Sequence, residues 1–239
     1  MKKIRIDSLL VERELVESRS KAQAMIMAGE VMVGGRAVVK SGIMVPEEAV
    51  ITLAEPPPFV SRGGLKLDYA LDQFRLDVSS RVVADVGAST GGFTDCLLKR
   101  GASRVYAIDV GYGQLDYRLR QDSRVVVMER VNARYTITLP EKVDLVTMDV
   151  SFISVEKIIP TVTKLVKEDG YLLVLIKPQF EARRDEVGRG GVIKQPALHA
   201  RVLGRFITWA IGQGFRMGGL IASPILGASG NREFFILIK

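Results

Sequence analysis

Two lysines and two carboxylates stand where the ends of neighbouring strands would bring them to one edge of a sheet. The apolar run "YLLVLI" stops on Lys177, and the run "VDLVTMDV" carries Asp149 near its end. Glu233 begins the last apolar run and reaches the same edge if that strand is antiparallel to its neighbours. Lys66 falls in the first turn of a predicted helix. The pattern predicts that these four ionisable side chains converge.

Such a set suits methyl transfer to a ribose hydroxyl. The hydroxyl holds its proton tightly at neutral pH, so transfer needs a base or a cation that stabilises the developing alkoxide. A nearby ammonium favours the neutral form of a lysine, so Lys66 would help Lys177 act as a base. Asp149 and Glu233 would orient the pair. Which of the four residues takes the proton stays open.

Other methyl acceptors need other residues. Exocyclic nitrogens of bases are usually held by an Asn- or Asp-Pro-Pro-aromatic turn after the fourth strand, where this chain has "DVSF". Carbon methylation of pyrimidines needs a cysteine nucleophile. The single cysteine, Cys96, lies beside Leu97 and Leu98 in a predicted helix. We therefore expect Cys96 in the core.

The elements that position the four groups alternate between strands and helices. Apolar β runs alternate with helical patterns from "VVADV" to "FFILI" in residues 60–239. This order predicts an α/β fold with a doubly wound, mostly parallel, Rossmann-like sheet. Ligands of such sheets bind outside the carboxyl ends of the strands.

The first strand ends in "DVGASTGGFTD", a glycine-rich turn that leads into a helix. Ser89 stands where the dinucleotide pattern G-x-G-x-x-G requires glycine, which weakens a pyrophosphate interpretation. Asp109 ends the second strand, where an acid can accept hydrogen bonds from both hydroxyls of an adenosine ribose. The turn and the acid together favour S-adenosylmethionine, although Asp109 could instead only cap its own turn. The expected cofactor contacts are Asp85, Gly87, Ser89, Thr90, Gly91, Gly92, Asp109, Val110 and Asn132.

A smaller unit precedes the sheet. The prolines of "EPPPF" predict a stiff linker over residues 55–59, which separates domains at 1–54 and 60–239. Asp7 and Ser18 are placed to cap two short helices. A Gly-Gly turn then joins two short strands, and "AVITLA" supplies a third after a Pro46-Glu47 turn.

Two cations stand in the first turn of the second helix. Arg19 and Lys21 meet the positive end of the helix dipole, which is unfavourable unless an anion lies between them and the free amides. The pattern suits a phosphate, and two solvated surface charges are the alternative.

Longer motifs carry a resemblance over nearly the whole chain. "RIDSLLVERELVESRSKAQAMIMAGEVMVGGR" resembles the small α+β RNA-binding module shared by ribosomal small-subunit protein four, tyrosyl-tRNA synthetases and many pseudouridine synthases. Behind it, "FVSRGGLKL", "DVGASTGGFTD", "MDVSFIS", "IKPQFE" and "GNREFF" resemble the hemolysin-A-like (TlyA) family of ribosomal RNA 2′-O-ribose methyltransferases, related to the FtsJ type. The proline-rich linker departs from the family pattern.

The resemblance implies a class I methyltransferase sheet, S-adenosylmethionine as cofactor and a cytidine ribose of ribosomal RNA within an assembled subunit as substrate. The family's Lys-Asp-Lys-Glu set falls on Lys66, Asp149, Lys177 and Glu233. We read "KPQFEARRDEVGRGGVIK" as a mobile lip that contacts RNA phosphates, with a disordered surface loop as the alternative. The expected RNA contacts are Arg5, Arg19, Lys21, Arg62, Arg183 and Arg184.

Composition agrees with an anionic partner. The chain has 34 Lys and Arg against 27 Asp and Glu, and its pI is near 9.6. No apolar run is long enough to span a bilayer, and Met1 to Asp7 is too charged for a signal peptide, which predicts a cytoplasmic protein. One cysteine and one histidine predict no metal site. Two further hypotheses stay open: an RNA-binding assembly factor with little methyl transfer, and a membrane-active hemolysin.

Overall fold

The computed structural model describes residues 2–54, 57–183, 185–188, 190–227 and 229–239. The chain divides into two compact units, Met1–Pro57 and Pro58–Lys239. Arg184, one of the expected RNA contacts, and part of the expected linker lie outside the described residues. No helix in the described ranges is long and apolar enough to cross a membrane.

The first unit packs two helices against short strands around a small core. Its elements are β1 (Lys3–Arg5), α1 (Ile6–Glu12), α2 (Arg19–Met27), β2 (Val31–Val33), β3 (Arg36–Val38), β4 (Met44–Pro46) and β5 (Ile51–Leu53). The strands pair in the orders β3-β2-β5 and β1-β4, all antiparallel. Ile6, Leu10 and Ile26 are fully buried between the helices and strands.

One local prediction in this unit was wrong. Asp7 does not cap α1, because Arg5 precedes the helix and Asp7 lies within its first turn, fully buried. The predicted Pro46-Glu47 turn is present: Pro46 ends β4, and its carbonyl accepts the backbone N–H of Ala49 at 2.9 Å. Ser18 does cap α2, and its side chain accepts a hydrogen bond from the backbone N–H of Lys21 at 3.3 Å.

The second unit is a seven-stranded sheet with helices on both faces, as predicted. Its strands are β6 (Val82–Val86), β7 (Arg104–Ile108), β8 (Val125–Met128), β9 (Val143–Met148), β10 (Val166–Ile176), β11 (Met217–Ala222) and β12 (Phe234–Ile238). Its helices are α3 (Arg62–Phe74), α4 (Gly92–Lys99), α5 (Tyr117–Gln121), α6 (Ile159–Val162), α7 (Pro178–Glu181) and α8 (Pro196–Gly212).

The strand order is β11-β12-β10-β9-β6-β7-β8. Neighbours from β10 to β8 are parallel, whereas β12 is antiparallel to both β10 and β11. Ile176, the last residue of β10, pairs with Phe234, the first residue of β12. The start of β12 therefore lies at the edge where β6, β9 and β10 end.

Each face of this sheet carries its own apolar cluster. One cluster joins α3 and α4 to the sheet through residues such as Leu67, Leu71 and Leu97. The opposite cluster joins α6 and α8 through Ile159 and Phe206. Cys96 is fully buried in the first cluster, and desolvation raises the pKa of its thiol, so Cys96 is a core residue as expected.

Asp85 ties three elements together from inside the core. Its carboxylate accepts hydrogen bonds from the hydroxyls of Thr94 in α4, at 2.7 Å, and Thr147 in β9, at 3.1 Å. Complete burial raises the pKa of Asp85 to about 7, against the opposing effect of the two hydroxyls. Asp85 is fully buried and lines neither of the two cavities at the carboxyl ends of β6 and β9, and its expected contact with the cofactor stays a prediction.

We expect Asp85→Asn to change how stability depends on pH. Between the ordinary carboxyl pKa of about 3.9 and the folded value, the folded protein binds this proton more tightly than the unfolded chain does. The free energy of unfolding of the wild type therefore falls as the pH rises through this window to about 7, and the variant lacks this contribution.

The measurement is urea unfolding of both proteins at about pH 5 and pH 8. The single tryptophan, Trp209, lies in α8 and reports on the second unit. Wild-type stability minus variant stability should decrease from the lower to the higher pH. Equal differences at the two pH values would mean that Asp85 does not titrate in this range.

Candidate active site

A cavity with two adjoining lobes opens at the carboxyl ends of β6 and β9. One lobe, of about 400 Å³, contains charged groups, and the other, of about 460 Å³, has mainly apolar walls. We call them the charged lobe and the apolar lobe. The residues that line both are Gly87, Ser89, Asp149, Ser151 and Phe152.

All four candidate catalytic side chains line the charged lobe. The Lys66 ammonium lies 2.6 Å from Glu233 Oε2, and both residues are buried. The Lys177 ammonium lies 2.6 Å from Asp149 Oδ1. The structure thus brings the four groups together as two ion pairs, each joining one lysine to one carboxylate.

Ser151 is a polar partner that the sequence analysis missed. Lys177 Nζ donates a hydrogen bond to Ser151 Oγ at 2.8 Å. Asp149 Oδ1 lies 2.6 Å from the same ammonium, and among the described residues it has no partner in hydrogen-bond geometry. Lys177 therefore contacts Asp149 as an ion pair and donates its directional hydrogen bond to Ser151. The signal in the sequence was the hydroxyl two residues beyond Asp149 in "DVSF".

Glycines allow close packing behind both members of the Lys66–Glu233 pair. A Cβ atom at Gly227 would lie 2.2 Å from Glu233 Oε1, so any side chain there would displace this carboxylate. A Cβ atom at Gly92 would lie 2.1 Å from Oγ of Ser61, the residue that caps α3 just before Lys66. The helix that carries Lys66 thus packs directly on the glycine turn.

The glycine turn presents only part of its predicted contacts to the cavity. Gly87, Ser89, Thr90 and Gly92 line the charged lobe. Gly91 has φ of +97°, and a Cβ atom there would lie 2.2 Å from Leu119 Cδ1. A side chain at Gly91 would thus point into the core, and the expected cofactor contact of this glycine stays a prediction.

Asp109 lines the apolar lobe and caps its own turn, whereas its contact with a cofactor ribose stays a prediction. Its Oδ1 accepts the backbone N–H of Gly111 at 2.7 Å, so it does cap its own turn. Its Oδ2 accepts the backbone N–H of Ser89 at 2.8 Å and so fixes the glycine turn. Each carboxylate oxygen has a second lone pair that these bonds leave available.

Of the two other predicted contacts in this lobe, one is exposed and the other is hydrogen-bonded within the chain. Val110 is exposed, and Asn132 Oδ1 accepts the backbone N–H of Arg134 at 3.0 Å. Both residues line the apolar lobe. Ile108, Val131 and Ile158 supply apolar walls beside them.

Two further residues of the cavity were missed by the sequence analysis. Phe152 is 90% exposed with φ of +64°, an uncommon conformation for a bulky residue. Its ring centroid lies 4.9 Å from that of Phe180. Gln179 Oε1 lines the charged lobe as a buried acceptor without a hydrogen-bond partner among the described residues. The signal for both was their position within two residues of Ser151 or Lys177.

Several described residues of the segment after α7 contact the rest of the second unit, and its role as a mobile lip stays a prediction. Asn231 is buried, accepts the backbone N–H of Ile193 at 2.8 Å and donates to Gly191 O at 2.9 Å. Glu186 pairs with Arg205 at 3.0 Å. Asn231 thus connects this segment to the turn that leads into Glu233.

The expected RNA contacts that the structure describes are distributed over both units. Arg62 and Arg183 are exposed in the second unit, and Arg62 lines the charged lobe. In the first unit Arg19 Nε lies 3.1 Å from Asp7 Oδ2, and Lys21 lies 3.5 Å from Glu17. Arg5 also pairs with Asp7, at 2.8 Å. The anion beside Arg19 is therefore the carboxylate of Asp7.

The two units match two different family models. Residues 59–239 match the FtsJ-like methyltransferase model, and residues 4–51 match the S4 domain model. A solved structure of an S-adenosylmethionine dependent methyltransferase from Mesorhizobium loti has a TM-score of 0.54 and 15% identity, covering 71% of this chain and 95% of that one. At this identity the likeness shows the fold alone, which is that of the second unit.

Relatives match over nearly the whole length. The 16S/23S rRNA (cytidine-2'-O)-methyltransferase TlyA of Mycobacterium tuberculosis (strain H37Rv) is 42% identical over 242 residues, covering 100% of this chain and 90% of that protein. Hemolysin A of Brachyspira hyodysenteriae is 42% identical over 237 residues, covering 97% and 98%. A solved structure from Streptococcus thermophilus is 40% identical with a TM-score of 0.76, covering 100% and 88%. The chain belongs to the hemolysin-A-like (TlyA) family of FtsJ-related methyltransferases.

Proposed function

We propose that this chain transfers a methyl group from S-adenosylmethionine to the ribose 2′-hydroxyl of a cytidine in ribosomal RNA. The observation that carries the proposal is the convergence of two lysine–carboxylate pairs in the charged lobe, directly beside the apolar lobe. The relative from Mycobacterium tuberculosis carries the same activity in its name. The lysines and carboxylates are groups that can accept the hydroxyl proton or stabilise the developing alkoxide.

The apolar lobe fits the adenosine part of the cofactor. Its walls are mostly aliphatic, and Asp109 retains acceptor capacity for the two ribose hydroxyls at one side. Ser89 and Gly87 belong to both lobes, so a ligand in the apolar lobe would extend along the glycine turn toward Asp149. When bound, S-adenosylmethionine supplies an electrophilic methyl group.

Lys177 is the residue best placed to act on the acceptor hydroxyl. It is held by the carboxylate of Asp149 and the hydroxyl of Ser151, at the junction of the two lobes. Because Lys177 is paired with a carboxylate, the arrangement supports stabilisation of the developing alkoxide by its ammonium. The hydroxyl proton passes to the carboxylate of Asp149 or to water as the new O–C bond forms and the methyl–sulfur bond breaks. Lys66, paired with Glu233, adds a second cation to the same lobe.

The RNA-binding side of the proposal is supported by both units. The first unit is an S4 domain. Its candidate cations are accessible: the side chains of Arg5, Arg19 and Lys21 are 44%, 53% and 54% exposed. In the second unit Phe152 exposes its ring at the cavity, where an unstacked base can pack against an aromatic side chain. Phosphate contacts from the arginines would position the RNA, and Phe152 would hold the target base.

The proposal is tested by methyl-labelled cofactor and purified ribosomal subunits, small and large in separate reactions. The RNA is recovered and hydrolysed in alkali. We expect label in alkali-resistant dinucleotides, because a methylated 2′-hydroxyl cannot cleave its own phosphodiester. Label in single nucleotides would mean base methylation, and no label on either subunit would favour an assembly factor instead.

We expect Lys177→Met to lower turnover by roughly 10²- to 10³-fold, the range for loss of a group that stabilises a developing oxyanion. Binding of the cofactor should persist, because Lys177 does not line the apolar lobe. Single-turnover rates and cofactor titration measure the two effects separately. Lys157→Ala, which removes the charge of an exposed lysine outside both lobes, is the matched control. Unchanged turnover in Lys177→Met would remove this residue from the reaction.

We expect Asp109→Asn to raise the Kd for S-adenosylmethionine by roughly 10- to 150-fold, since a hydrogen bond to a charged acceptor contributes about 1.5–3 kcal/mol. The amide cannot serve both backbone donors and both ribose hydroxyls. Titration calorimetry with the cofactor and with free methionine makes the comparison. Methionine lacks the ribose, so its affinity should change much less. Equal losses for both ligands would mean that Asp109 acts only by shaping the turn.

A further inference from the structure

Asp7 is a fully buried carboxylate that holds two exposed guanidinium groups. Arg5 donates from Nε to Asp7 Oδ1 at 3.0 Å and from Nη2 to Oδ2 at 2.8 Å. Arg19 donates from Nε to Oδ2 at 3.1 Å, and Gln23 donates from Nε2 to the same oxygen at 2.9 Å. Arg5 immediately precedes α1, and Arg19 is the first residue of α2.

Burial of a charge without partners is costly, so the set of donors explains how Asp7 can occupy this position. The hydrogen bonds from Arg5, assisted by those from Gln23 and Arg19, hold the pKa of Asp7 well below its usual range. The carboxylate is therefore ionised throughout the physiological range. The cluster of Arg5, Arg19 and Asp7 keeps one net positive charge.

The arginines are exposed although their anchor is not. The side chain of Arg5 is 44% exposed and that of Arg19 is 53% exposed, whereas that of Asp7 is 0% exposed. Arg19 bonds Asp7 through Nε, which leaves both terminal nitrogens of its guanidinium for another acceptor. Arg5 likewise keeps Nη1 outside its two-point contact with Asp7.

We propose that Asp7 is a positioning residue for ribosomal RNA: it holds Arg5 and Arg19 as a preformed pair of cations for a backbone phosphate. Asp7 touches no RNA itself. A guanidinium that is already fixed loses less conformational freedom when it binds, so the pair binds a phosphate more tightly than two mobile arginines do. The inference rests on the proposed function, in which the first unit binds ribosomal RNA.

The proposal predicts that removing the charge of Asp7 weakens RNA binding, whereas simple electrostatics predicts stronger binding. Removing a negative charge from an RNA-binding surface ordinarily strengthens binding, since the long-range attraction to phosphates increases. If Asp7 acts by positioning, Asp7→Asn weakens binding although the net charge of the chain rises by one. The amide presents N–H donors where the two guanidiniums need an acceptor.

The experiment measures the affinity of the full chain for small and large ribosomal subunits by co-sedimentation at several salt concentrations. We expect Asp7→Asn to raise the Kd for the preferred subunit roughly tenfold, which corresponds to the ordering cost of two long side chains. The slope of log Kd against log salt should become shallower, because a phosphate contact is lost. The Kd for S-adenosylmethionine should stay unchanged.

Glu17→Gln is the matched control. It makes the same change of charge in the same unit, at a side chain that is 84% exposed. We expect its Kd for the subunit to be equal to or lower than that of the wild type. The positioning role is overturned if Asp7→Asn behaves as Glu17→Gln does.

A double-mutant cycle separates positioning from a general loss of structure. In an Arg5→Gln/Arg19→Gln background, Asp7→Asn should cause no further rise in Kd, because the residues through which it acts are already gone. A rise of equal size in both backgrounds would mean that Asp7 only supports the fold, and would overturn the proposal. Failure of the wild type to bind either subunit would overturn it too.

Methyl transfer by the same preparations distinguishes this inference from the proposed function. Wild-type binding without transfer would contradict the proposed activity and leave the comparison of Kd values intact. Transfer by the wild type with unaltered binding by Asp7→Asn would contradict only the role of Asp7.

Discussion

The reversed direction of β12 is the constraint on which the site depends. A parallel last strand would carry Glu233 to the far edge of the sheet, away from Lys66. Because β12 runs antiparallel to β10, its first residue lies beside Ile176, the last residue of β10. The same register places Lys177 and Glu233 just beyond that pair. One hydrogen-bonded ladder therefore fixes the relation between the two lysine–carboxylate pairs.

Among the described residues, the three most deeply buried carboxylates have different partners. Glu233 has a lysine as its partner, and Asp7 has two arginines and an amide. Asp85 accepts from two hydroxyls and has no cationic partner, and its pKa is raised to about 7. The cost of burying a charge thus falls with the charge and number of its donors. The environment favours the protonated form at Asp85 and the carboxylate at Asp7.

The sequence predicted the second unit well because its signals were strong and local. Apolar runs predicted the strands, and strand ends predicted where Asp149 and Lys177 would lie. The error arose where the structure depends on distant contacts. Asp7 has the residue type and position of a helix cap, and only its contact with Arg19 from another helix explains its burial.

Other features of the site could not be predicted from one sequence, for similar reasons. The glycine turn was predicted, but which glycine faces the cavity depends on Leu119, which lies in α5. Ser151 and Gln179 became visible as site residues only once two strand ends were adjacent. Spacing along the chain predicts which residues lie at the edge of the sheet. The direction of each side chain depends on the residues that pack behind it.

The contact between Gly92 and Ser61 joins the glycine turn to the start of α3 within the wall of the charged lobe. No side chain larger than hydrogen fits at position 92 without moving Ser61 Oγ, and the backbone N of Gly64 would lie only 3.0 Å from such a side chain. The glycine turn and the helix that carries Lys66 are therefore mechanically coupled. A shift of a few tenths of an ångström in the turn would be passed to α3, and so to the position of Lys66.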